Sequence, residues 1–129
     1  MARRAPELTP SEIDFLGERK LATLTTLRPD GSPHVVAIAF TFDPDTGLVL
    51  VITSDGSQKV RNLEQTPPAA VCQVDGSRWL TLEGPAEVHR EPARIARAVA
   101  RYEARYRPVK ENPRRVVIEI AVDRILGRA

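Results

Sequence analysis

The sequence predicts a mainly β fold, an antiparallel barrel with flanking helices, and three observations carry that expectation. Short runs rich in β-branched residues are separated by tight-turn signals, Pro29-Asp30-Gly31-Ser32 and Asp75-Gly76 among them. Helical patterns are inserted between groups of strands rather than alternating with each one, which argues against a doubly wound parallel sheet. At 129 residues and 42% hydrophobic content, the chain has the size of one domain over 1–129, enough for a real core and too little for a second.

Thr9-Pro10-Ser11-Glu12 is a capping box with proline at the first helical position, so a helix is expected from there to about Glu18-Arg19, carrying Ile13 and Leu16 inward. Leu21–Leu27 and His34–Phe42 read as strands on either side of the Asp30-Gly31 turn. After the turn Asp43–Gly47, the almost continuously apolar Leu48–Thr53 reads as a strand buried on both faces. A helix of about two turns follows from Ser57 to Glu64, closed by Pro67-Pro68. Ala69–Val74 and Trp79–His89 form a second hairpin around Asp75-Gly76. From Glu91 a longer helix places Ile95, Val99, Tyr102 and Tyr106 on one stripe, and Val116–Val122 is the last predicted strand.

Composition excludes several function classes. The formal net charge of +2 is small, aromatic residues are few and the arginines are scattered, so nucleic acid is not expected as a partner. Arginine far outnumbers lysine, the signature of a GC-rich genome. No segment is long and apolar enough for a membrane helix, and the basic start MARRAPELTPSE has no hydrophobic run behind it, so neither export nor anchoring is expected. The lone Cys72 rules out an intramolecular disulfide, which suits the cytoplasm; mid-strand between Val71 and Gln73, it reads as a buried, inert thiol. His34 and His89 lie on different predicted strands with no Cys or carboxylate at ligand spacing, so no metal site is expected, and no serine has a nucleophile-elbow context.

What stands out is Thr53-Ser54-Asp55-Gly56-Ser57-Gln58-Lys59. A strand ends in hydroxyls, a Gly-Ser turn follows and Lys59 falls in the first turn of a helix, so hydroxyls, freed backbone N–H groups and one ammonium can converge on a dianion. The same residues also read as a surface turn with one solvated lysine. Arg114-Arg115 beside Pro113 opens a strand on a rigid turn and is a second anion candidate. Arg94, Arg97, Arg101 and Arg105 recur opposite the apolar stripe of the long helix, either as a solvated face or as an anion-attracting one. A phosphate seat without an acid, base or nucleophile cluster suits a holder for a cofactor that carries the chemistry; no catalytic side chain is nominated.

Ser57-Gln58-Lys59 with Asn62-Leu63, a Pro-containing loop, a strand, and Trp79-Leu80 leading to Glu83-Gly84 resembles the flavin-binding stretch of the pyridoxamine-phosphate-oxidase-like split barrels. His34-Val35-Val36-Ala37, Phe40-Thr41-Phe42-Asp43-Pro44, Gln73-Val74-Asp75-Gly76 with Arg78-Trp79-Leu80, and Asn112-Pro113-Arg114-Arg115-Val116-Val117-Ile118-Glu119 extend the likeness over nearly the whole chain. It is strongest to the actinobacterial branch that uses the deazaflavin coenzyme F420, and within it to the biliverdin reductase type.

The resemblance implies a split β-barrel homodimer with cofactor sites at the subunit interface, and hydride transfer from reduced coenzyme F420 to an unsaturated small-molecule acceptor, biliverdin first among them. It assigns the cofactor phosphate to Lys59, supported by Thr53, Ser54 and Ser57, and brings Gln58 and Arg115 into the same site. Gln58 stands where flavin enzymes carry arginine, and Val60 where glycine is common, which favours the deazaflavin over FMN. The backbone of Val36, Ala37 and Ile38 is expected to face the cofactor ring. Trp79 is either a ring-packing residue or part of the hairpin core. An FMN-dependent oxidase or reductase is the alternative enzyme; the end Asp123–Ala129 lacks the Arg-Leu-x-Pro type terminus of pyridoxamine phosphate oxidases. A flavin, deazaflavin or haem carrier is the alternative without turnover.

Overall fold

Thr9 caps helix α1 (Pro10–Gly17) as its sequence predicts: the Glu12 N–H donates to Thr9 Oγ1 at 3.2 Å and the Thr9 N–H to Glu12 Oε1 at 3.1 Å. The computed structural model describes residues 3–129. Eight strands follow the expected order for the most part: β1 (Ala22–Leu27), β2 (Pro33–Ile38), β3 (Thr41–Asp43), β4 (Leu48–Ser54), β5 (Pro68–Asp75), β6 (Arg78–His89), β7 (Arg115–Ala121) and β8 (Arg124–Arg128). Helix α2 (Gln58–Gln65) and helix α3 (Pro92–Arg105) occupy the two remaining expected positions. No helix among the described residues is long and apolar enough to cross a membrane.

Every strand pair is antiparallel, in the order β2-β1-β5-β6-β7-β4-β3, with β8 added alongside β6. The path is not closed, so the barrel is split. β6 joins its two halves: Arg78–Pro85 pair with β5, and Ala86–His89 pair with β7. At this crossing a Cβ built on Gly84 would lie 1.9 Å from the Ala121 carbonyl oxygen, so only glycine lets the two backbones approach. The inward face is a single apolar cluster that includes Phe15, Leu24, Phe40, Val49, Val51, Leu80, Leu82, Ile118 and Ile125. On the other side of β4 and β7, Leu50 and Val117 are covered by Ala98 of α3, which accounts for the two-sided apolar pattern of β4.

Four expectations are corrected. The strand expected over His34–Phe42 breaks at Ala39-Phe40 into β2 and β3, which belong to different halves of the sheet. Phe40 is buried, and its peptide groups bond to α3 rather than to a strand: Arg105 Nη1 donates to the Phe40 carbonyl at 2.5 Å, while the Tyr106 hydroxyl lies 3.3 Å from the Phe40 N–H. Val116–Val122 is not the last strand: the chain end adds β8, which buries only Ile125 and whose pairing is set by β6 rather than by local pattern.

The arginines of α3 form a face that is largely exposed at Arg94 and Arg97 but not free in solvent. Arg94 pairs with Glu119 at 2.7 Å, Arg97 and Arg101 clasp the buried Asp43, and Arg105 donates to the carbonyls of Glu18 and Phe40 and to Gln73 Oε1. They dock the helix on the sheet. Cys72 is half-buried rather than buried, because β5 turns it outward beside Thr23 and Thr81 while Val71 and Gln73 face the core.

Candidate functional site

The antiparallel register of β4 and β7 sets Thr53 opposite Val116 and Ser54 opposite Arg115, so a strand end rich in hydroxyls lies beside a strand start carrying a cation. Asn112 locks the loop before β7 onto this corner, its side-chain amide donating to Ser54 Oγ at 2.9 Å, and Arg115 donates to the Lys110 carbonyl at 2.9 Å. The break after β2 brings Ile38 and Ala39 to the same corner. Together with Val51, Ile52, Thr53, Lys59, Tyr102, Val109, Asn112 and Arg115 they line a cleft of about 290 Å³.

Ser57 is the N-cap residue of α2, yet its hydroxyl makes no capping bond. Its Oγ is buried without a hydrogen-bond partner among the described residues. An N-cap serine ordinarily accepts a bond from the first turn of its helix, so this hydroxyl is left to serve something else. Lys59 is partly buried in the first turn of the same helix, and burial alone lowers its pKa, with no carboxylate contributing. A cation desolvated without a partner costs free energy that an anion entering the cleft would return.

Of the residues singled out from sequence, Ile38, Thr53, Lys59 and Arg115 line the cleft, Ser54 is bonded to the lining Asn112, and Ser57 lies two residues before Lys59 without lining the cleft itself. Gln58 does not line it: its side chain bridges Asn62 Oδ1 at 2.7 Å and Arg61 Nη2 at 2.6 Å. Val36 packs on the core, Ala37 faces outward on β2, and Trp79 is 41% exposed on the outer face of β6. Tyr102 and Asn112 are cleft residues that sequence reasoning did not nominate. Tyr102 was read only as part of an apolar stripe, and Asn112 only as part of a motif.

The outer face of the β2-β1-β5-β6-β8 half carries several exposed apolar side chains among Thr23, Thr25, Thr81 and Glu83. Leu21, Val35, Val74, Trp79 and Leu126 are each more than a third exposed, and the register aligns Val74 with Trp79 and Thr81 with Leu126.

A profile described as pyridoxamine 5′-phosphate oxidase matches residues 8–129. An F420H(2)-dependent biliverdin reductase of Mycobacterium tuberculosis (strain CDC 1551 / Oshkosh) is 50% identical over 129 residues, covering 100% of this chain and 94% of the relative. Among solved structures, a conserved hypothetical protein of Mycobacterium tuberculosis superposes with a TM-score of 0.80 at 27% identity, over 97% of this chain and 87% of that one. A structure described as an F420 reductase gives 0.70 at 27% identity, over 88% of this chain and 94% of that one.

Proposed function

The chain belongs to the pyridoxamine 5′-phosphate oxidase family, and from that premise we propose that it is an oxidoreductase that uses coenzyme F420 to reduce biliverdin. Full-length identity of 50% to an F420H(2)-dependent biliverdin reductase supports both the cofactor and the acceptor. The observation in the chain itself that carries the reading is the presence, at the start of α2, of a buried Ser57 hydroxyl and a partly buried Lys59, neither with a partner among the described residues. Both groups suit a phosphate.

In this reading Lys59 and Ser57 hold the cofactor phosphate, Thr53 and Ser54 add hydroxyls from the end of β4, and Arg115 adds a second positive charge from the facing strand. Ile38 and Ala39 present the broken end of β2 to the ring. When bound, reduced coenzyme F420 supplies a hydride carrying both electrons; the acceptor takes it up, and its second hydrogen arrives as a proton from solvent. The chain's own work is to fix the distance between the two partners and to exclude water. Gln58 is turned toward Asn62 and Arg61 and belongs to the site only through its backbone at the helix start.

The chain works as a cytoplasmic homodimer in a single domain over 1–129. What supports the dimer is the apolar outer face, which carries Trp79 and Ala37 away from the cleft of their own chain and leaves both available to the site of a second copy. A cleft of about 290 Å³ is also small for a cofactor of this size, so a partner wall is needed to complete it. Side-by-side titration with coenzyme F420 and FMN tests the cofactor. Binding of the deazaflavin at least about tenfold tighter, roughly 1.4 kcal/mol, is expected; equal or tighter FMN binding would move the chain to the flavin enzymes.

A further inference from the structure

Tyr102 and Val109 form a wall with two sides. On one side lies the cleft with Lys59 and Arg115; on the other a cavity of about 490 Å³ is lined by Tyr102, Arg107, Pro108, Val109 and Lys110. The two spaces share those two residues and nothing else. The wall is held from behind. The Tyr106 ring lies 5.0 Å from the Tyr102 ring at an interplanar angle of 37°, and the Tyr106 hydroxyl donates to the Lys20 carbonyl at 2.8 Å. The Val109 N–H donates to Glu103 Oε2 at 2.9 Å, which ties the loop to the end of α3.

The charges in this second cavity differ from those along α3. Arg94, Arg97 and Arg101 each face a carboxylate. Arg107 and Lys110 line the cavity and face no carboxylate within ion-pair distance among the described residues, and Glu103, near the end of α3, is committed to the Val109 N–H. An aromatic ring, two apolar side chains and two uncompensated cations suit a flat, conjugated molecule that carries carboxylates.

The geometry points to this cavity as the acceptor site, with Arg107 and Lys110 pairing with the acceptor's two carboxylates and Tyr102 lying against its conjugated system. The inference rests on the reductase reading and deepens it. It seats the carboxylate-bearing edge of the acceptor beside the cofactor cleft, with the conjugated system reaching over Tyr102 so that the reacting carbon meets the cofactor directly, and makes a pair of acidic groups on a conjugated chromophore, rather than the chromophore alone, the feature the chain selects. Biliverdin has this chemistry in its two propionates; its dimethyl ester keeps the chromophore and loses both charges.

The test titrates biliverdin and biliverdin dimethyl ester into the full-length protein saturated with oxidised coenzyme F420, where no turnover occurs, for the wild type and for the Arg107→Gln/Lys110→Gln double variant. The wild type is expected to bind the diacid at least about tenfold tighter than the ester, and the double variant to lose about ten- to a hundredfold for the diacid only. Coenzyme affinity, measured separately, should stay the same. If the variant binds and reduces biliverdin like the wild type, the cavity assignment fails and the reductase reading stands. An equal loss for acid and ester also overturns it, because the charges would then act only through the shape of the loop. A wild type that binds the coenzyme but neither binds nor reduces biliverdin overturns both.

Discussion

Lys59→Met separates a binding lysine from a structural one, because the two roles change the protein in opposite directions. The substitution keeps most of the aliphatic stem and removes the ammonium. If that group makes one charge-assisted hydrogen bond to the cofactor phosphate, its loss costs about 1.5–3 kcal/mol, a fall in affinity of roughly ten- to 150-fold. Without cofactor the sign reverses. Burial lowers the pKa of Lys59 in the fold with no compensating carboxylate, so at neutral pH the charged form is disfavoured by folding and the chain pays for it. Over the window between the lowered folded pKa and the ordinary value near 10.5, the unfolded chain binds more protons and stability rises with pH. Lys59→Met should therefore leave the cofactor-free protein as stable as the wild type or more so at pH 7, with any advantage fading above about pH 10.5. A fluorescence titration with coenzyme F420 and a thermal melt without ligand give the two numbers. Unchanged affinity, or a cofactor-free protein that melts well below the wild type, would refute the reasoning.

Three further outcomes are expected. Gly84→Ala sets a methyl 1.9 Å from the backbone carbonyl of Ala121, which no side-chain rotation relieves, so urea denaturation should show a loss of at least about 3 kcal/mol; a loss below about 1 kcal/mol would mean that the crossing of β6 is loose. Glu12, which accepts from Arg3, the Thr9 N–H and the Ala129 N–H, titrates at about 2 instead of 4.5, led by the bond from Arg3. That stabilises the fold by roughly 3 kcal/mol above pH 4.5 and the contribution is lost as pH falls toward 2, so Glu12→Gln should flatten the acid limb of the stability curve, and an unaltered limb would remove this clasp from the account. Val74→Arg with Leu126→Arg places charges on the apolar outer face; light scattering should show a monomer with weakened coenzyme binding, whereas a dimer of normal affinity would place the interface elsewhere.

How far the sequence could be read follows from whether each signal was local. The capping box of α1, the Asp-Gly hairpin between β5 and β6 and the start of α2 depend on neighbouring residues, and each lies within a residue or two of its expected place. The break between β2 and β3 was hidden because it is made at long range: Arg105 and Tyr106, more than sixty positions away, take the Phe40 peptide groups out of the ladder. β8 was hidden for the same reason, its pairing being supplied by β6.

At the site, Thr53, Lys59 and Arg115 were legible as polar groups at the ends of strands and helices. Tyr102 was not, since an aromatic residue on an apolar stripe gives no sign that it faces a cleft. The arginines of α3 were misread because periodicity shows which face they share and not what that face meets; Asp43 and Glu119 come from strands distant in the chain.

In the proposed reaction this chain passes electrons from reduced coenzyme F420 to biliverdin. Steady-state oxidation of the reduced coenzyme by purified protein, followed with and without biliverdin and repeated with reduced FMN, tests it directly. Oxidised coenzyme is expected to accumulate only when biliverdin is present, one equivalent for each biliverdin consumed, with reduced FMN supporting little or no reaction. Coenzyme that binds and stays reduced in the presence of biliverdin, or turnover with FMN at the same rate, would contradict it.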